Sequence, residues 1–174
     1  MTRQTETHRS SVRILHTFLF GMIMLLPTVC QGQAKCPWLT KATAQGILGG
    51  AVTVTVDVNA KGAGDCEFSS QQGSTVHQLR ISVGLMTDIP KEFPAYLAQC
   101  PPKSPRLRAV GNEAVLCSVQ GQVGQYIERI VSRVRDQAFV VSVGSSVQDD
   151  PSMTQAMRRE KANLVAEQVA GILF

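Results

Sequence analysis

Residues that commonly carry catalysis are scarce in this chain. Of its three histidines, His8 and His16 fall in the N-terminal stretch, leaving only His77 in the body of the sequence. A Ser-His-Asp or Cys-His centre therefore has one candidate base. Placed beside Val76 at the start of a strand pattern, His77 reads as an ordinary surface or edge residue. No Cys-x-x-Cys, His-Glu-x-x-His, phosphate-binding loop or calcium loop occurs, so the common redox, zinc and nucleotide signatures are missing. "GQVGQ" (Gly121–Gln125) lacks the glycine order of a dinucleotide site. The carboxylates Glu67, Glu92, Glu113 and Glu128 are scattered without a motif. No metal, no cofactor and no catalytic residue is expected.

Charge of one sign is also in short supply. The whole chain carries a formal +4, and part of that sits in its first 34 residues. Arg3, Arg9 and Arg13 precede an apolar run from Ile14 to Leu26, Pro27 breaks it, and Gly32-Gln33-Ala34 places small residues where signal peptidase cuts. The run is shorter than the ~20 residues a membrane span needs. Residues 1–34 thus read as a signal peptide and 35–174 as one exported domain, nearer to neutral than the whole chain. Neither that balance nor an exported location makes a case for nucleic acid. Localisation follows as periplasmic or extracellular. A second processing route would attach lipid to Cys30, but Val29 and Pro27 stand where a small residue and leucine belong.

The five cysteines become four when Cys30 leaves with the leader. An even set in an exported chain implies disulfides. Cys36–Cys66 and Cys100–Cys117 close the two shortest non-overlapping loops and are the expected pairs.

Periodicity supplies the fold. "AVTVTVDV", "CEFSS" and the run around Leu79, Ile81, Val83 and Leu85 alternate as a three-stranded antiparallel meander. "KATAQGIL" behind Thr40 and "IPKEFPAYLAQC" are short helices, and "PPKSPRLRAVGNE" is a proline-stiffened loop. "AVLCSV" is a strand, and residues 125–145 form a hairpin turning near Asp136-Gln137. A final helix is expected with Asp150 as its cap and Pro151 at its first position, and with Met157, Lys161, Leu164, Val165, Gln168, Val169 and Ile172 as its inner stripe. The expected class is α+β: one antiparallel sheet of about six strands with helices packed on it and two disulfides.

The functional signal that remains is basic. Arg129, Arg133 and Arg135 share one strand parity, so they form a candidate face for an anionic partner: a lipid headgroup, a cell-wall polymer or an acidic protein surface. Arg158, Arg159 and Lys161 lie near Asp149, Asp150 and Glu160 and read as locally compensated.

"CPWLTKATAQGILGG", "GDCEFSS", "VGNEAVLC", "RVRDQAFVVSV" and "KANLVAEQVAGIL" follow one another in an order that resembles small exported or lipid-anchored bacterial domains of unknown function. Some of these have a PsbP/Mog1-like fold. The resemblance implies an antiparallel sheet covered by helices, carries no catalytic residues, and would map a lipid-bearing cysteine only onto Cys30. The resulting expectation is a non-enzymatic envelope or secreted binding module with an unknown envelope or extracellular partner. Its alternatives are a lipid-anchored accessory subunit, touching membrane only through Cys30, and a carboxylate-dependent hydrolase of cell-wall or extracellular substrates.

Overall fold

The computed structural model describes residues 35–121 and 124–174; the expected signal peptide and Cys30 lie outside them. The helices are α1 (Lys41–Leu48), α2 (Ile89–Leu97) and α3 (Gln155–Leu173). The strands are β1 (Thr53–Val58), β2 (Gly64–Gln72), β3 (Thr75–Leu85), β4 (Arg106–Leu107), β5 (Glu113–Gln120), β6 (Tyr126–Val134) and β7 (Gln137–Ser145). All seven strands join in one antiparallel sheet of order β1-β2-β3-β7-β6-β5-β4. The α+β expectation holds, with one strand more than about six. The extra one is β4, whose two residues pair with Val115 and Ala114 inside the proline-rich connection.

Alternation divides the sheet into two unlike faces. Phe68, Leu79, Ile81, Ile130, Phe139 and Val141 point to one side, where α1 and α3 cover them. The second face is apolar only where α2 crosses it, over Val115, Val131, Ala138 and Val140. The approach there is close: a Cβ on Gly84 would run into the Tyr96 hydroxyl. Beyond α2, this second face carries mainly polar side chains and no other helix covers it among the described residues.

The disulfides pair as expected, with Cα separations of 5.8 Å for Cys36–Cys66 and 5.6 Å for Cys100–Cys117. The first fastens the chain before α1 to β2, and the second fastens the end of α2 to β5. Two such bridges fit an oxidising, extracellular-type environment. Among the described residues no helix is long and apolar enough to cross a membrane.

Thr40 caps α1 as expected, its hydroxyl accepting from the Thr43 N–H at 3.1 Å. The carbonyls at the other end of α1 are bonded from elsewhere in the fold. Lys161 donates to the Ile47 carbonyl, His77 and Gln72 to that of Leu48, and Ser70 to that of Gly49. A cationic side chain at the negative end of a helix is favourable.

Two expectations for α3 are corrected. The helix begins at Gln155 with Thr154 as its cap, because Asp150 is occupied in another network. Its buried residues are Arg158, Ala162, Val165, Ala166, Val169 and Ala170, while Leu164 and Ile172 face outward at 58% and 50% exposure. Small alanines let the helix lie close on the sheet, so the inner stripe is rotated from the one that the bulky side chains suggest. The β6–β7 turn also falls one residue earlier than expected, at Arg135-Asp136.

Candidate functional site

Strand register assembles the uncovered part of the second face. One row across four strands runs Glu67 (β2), Arg80 (β3), Ser142 (β7) and Arg129 (β6). The next runs Ser69, Gln78, Gly144 and Ile127. With Gln120, Gly121 and Gln125 at its end, this surface forms a groove of about 560 Å³.

The polar groups on it are unevenly matched. Arg80 donates from Nε and Nη2 to Asp65 at 3.1 and 3.0 Å, and Ser82 bonds the same carboxylate oxygen. Gln78 donates to Glu67 at 2.6 Å. Arg129, half-buried between them and β5, donates only to the Ser142 hydroxyl at 3.2 Å and forms no ion pair among the described residues. Burial, and after it the neighbouring Arg80 guanidinium, lowers its pKa from the ordinary arginine value. Two guanidiniums flank a serine hydroxyl, one of them without a carboxylate among the described residues, and such donors match the geometry of an anionic oxygen group.

Arg129 and Arg133 share the second face, as their parity predicts, but the three arginines are not gathered into one cluster. Only Arg129 faces the groove. Arg133 lies beneath α2, stacked over the Phe93 ring at 5.7 Å and 3.8 Å from Glu113. Arg135 occupies the hairpin turn at φ +52°, its N–H donating to Asn112 at 2.7 Å, so strand parity no longer applies to it. Arg80 takes their place beside Arg129. That adjacency requires β3 and β6 to flank β7, which no local pattern announces.

His77 is not a surface residue; it is 1% exposed. Its Nδ1 donates to the Leu48 carbonyl at 3.0 Å, and its Nε2 meets Asp150 Oδ2 at 2.6 Å. Ser145 donates to the same carboxylate at 2.7 Å, and Ser152 to its other oxygen at 2.6 Å. Burial opposes ionisation of Asp150, but the bonds from Ser152, Ser145 and His77 outweigh it and hold the carboxyl well below the usual carboxylate range. Ser152 Oγ lies 3.5 Å from the same ring nitrogen that meets Asp150. A catalytic triad needs serine and aspartate on opposite nitrogens. The cluster is a structural lock and lacks the layout of a nucleophile.

The scattered glutamates stay scattered. Glu67 lies in the groove, Glu92 caps α2, Glu113 meets Arg106 and Arg133, and Glu128 is buried on the opposite face. Among the described residues no group of three or more His, Cys, Asp or Glu side chains is placed to hold a metal ion. Comparison with known proteins leaves the site to speak for itself: no protein-family model, no curated protein and no solved structure matches the chain.

Proposed function

We propose that this chain is an exported, non-enzymatic binding module that holds an anionic envelope polymer in the groove on its open sheet face. The observation that carries this reading is Arg129, a half-buried guanidinium beside Arg80 with no carboxylate partner among the described residues. An anionic group seated between the two arginines pairs the free charge. The amides of Gln78, Gln120 and Gln125 along the groove suit the hydroxyls of a polyol or sugar backbone. The cysteine pairs support an oxidising location, and the leader pattern of residues 1–34 supports export. The resemblance to PsbP/Mog1-like domains belongs to the same proposal and adds a shape, without a ligand.

The hydrolase alternative finds less support. Asp150 and Glu128 line one cavity, but each carboxylate is saturated with donors. An acid held well below the usual range is also a poor proton donor near neutral pH. The test is retention of the purified exported protein on its own envelope polymer, with Arg129→Glu beside wild type. Loss of retention in the variant supports the groove; unchanged retention overturns it.

A further inference from the structure

A second cavity, of about 450 Å³, opens at the first turn of α3. Thr154, Gln155 and Arg158 line it from the helix, Ser118 and Glu128 from the strands, and Asp149 from the preceding loop. Arg158 is the anomaly. It is 3% exposed, donates from Nη1 to the Met153 carbonyl at 2.6 Å, and leaves Nε buried without a hydrogen-bond partner among the described residues. It forms no ion pair among the described residues. The carboxylates expected to compensate it, Asp149 and Asp150, line the same cavity but form no direct ion pair with it among the described residues. A buried guanidinium served by one neutral carbonyl is an uncompensated charge, and it stands beside the positive end of a long helix.

The carboxylates around it are already used. Glu128 accepts from Ser118 at 2.5 Å, Gln155 at 2.9 Å and Arg159 at 3.3 Å. Asp150 is held by His77, Ser145 and Ser152. Asp149 alone is exposed and makes no side-chain bond among the described residues. The cavity thus presents one buried cation in need of an anion and one free carboxylate. The acidic lining disfavours a multiply charged anion and favours a ligand that brings its own positive charge.

We propose that this cavity binds a small zwitterion of the α-amino-acid type, its carboxylate on Arg158 and the first-turn amides of α3 and its ammonium group toward Asp149. The site is separate from the sheet groove and does not depend on it. Titration calorimetry and thermal melting of the purified exported protein test it, with alanine, glutamate and lysine as probes. N-acetylalanine, alaninamide and inorganic phosphate serve as comparison ligands. At least one free amino acid raises the melting midpoint, and its N-acetyl and amide derivatives bind at least about tenfold more weakly, since each lacks one charge. Arg158→Met abolishes the effect, Asp149→Asn weakens it about tenfold, and Arg129→Gln leaves it intact. The proposal is overturned if no probe amino acid binds, or if phosphate or N-acetylalanine binds as tightly as the free amino acid. Should Arg158→Met not fold, unchanged amino-acid affinity in Asp149→Asn, an exposed and benign substitution, overturns it equally.

Discussion

Asp150 Oδ2 accepts from His77 Nε2 at 2.6 Å across a sequence separation of 73 residues. The bond joins the loop before α3 to β3, and the other ring nitrogen of His77 passes the connection on to the last carbonyl of α1. Three segments distant in the chain meet at one buried imidazole. The same carboxylate also fixes Ser145 and Ser152, so the end of β7 and the approach to α3 depend on it.

Removing that carboxylate's charge is therefore costly. Asp150→Asn is expected to destabilise the protein by about 3–5 kcal/mol at neutral pH, the range for breaking a buried charged network on one side. The sign of the pH dependence follows from the lowered pKa of Asp150 in the folded state. Its contribution is fully present above the ordinary aspartate value of about 3.9 and is lost as pH falls below it toward the folded-state value. Urea midpoints measured from pH 6 downward should fall more steeply for wild type than for Asp150→Asn. Parallel curves would show that the carboxylate is not the acid-sensitive element.

The rotated stripe of α3 makes opposite predictions for its outward leucine and isoleucine and for its inward alanines. Leu164→Gln and Ile172→Gln should each change stability by less than about 0.5 kcal/mol, as expected of exposed positions. Ala166→Leu, into a fully buried site against the sheet, should cost about 1–3 kcal/mol through overpacking. Chemical denaturation of the three variants decides between this phase and one in which Leu164 and Ile172 face the core.

Particular residues show where sequence was informative. The meander of β1 to β3 was readable because one face is buried and the side chains alternate, and the cysteine pairing followed from loop lengths alone. His77 differs from the surface position its polar identity suggests, and its parity with Leu79, Ile81 and Val83 is the cue that places it on the core face. Glu128 carries the same signal through Ile130 and Val134. For both residues strand parity is the signal that finds the burial, although each is polar. The α3 stripe failed differently: Ala162, Ala166 and Ala170 recur every fourth residue, but alanine contributes little hydropathy, so larger exposed side chains dominated the pattern. The groove itself was out of reach, because Arg80 and Arg129 become neighbours only through a non-local strand order.

Each disulfide closes a loop that the unfolded chain otherwise leaves open. On the chain-entropy account, losing either bridge costs about 3–4 kcal/mol. The Cys36→Ser/Cys66→Ser double variant should also release the segment before α1, where Trp38 is 2% exposed. Its tryptophan fluorescence should therefore shift to the red before global unfolding. The Cys100→Ser/Cys117→Ser variant should lower the urea midpoint without that early shift, because its bridge lies on the α2 side of the sheet. A simultaneous change of fluorescence and far-ultraviolet signal in both variants would show that the N-terminal segment is held by packing alone.

The separation of the three arginines can be tested with single charge changes. Arg129→Gln should weaken retention on an anionic envelope polymer about tenfold or more, the effect expected when a partly desolvated charge loses its partner. Arg135→Gln, in the exposed turn, should leave retention within twofold or so at physiological salt, where a charge on the surface is largely screened. Arg133→Gln should act on stability instead, because its guanidinium lies over Phe93 and near Glu113. Raising ionic strength should erode wild-type retention and have less effect on what remains in Arg129→Gln. If all three substitutions weaken retention equally, the partner reads overall charge, and the groove between Arg80 and Arg129 has no special part in binding.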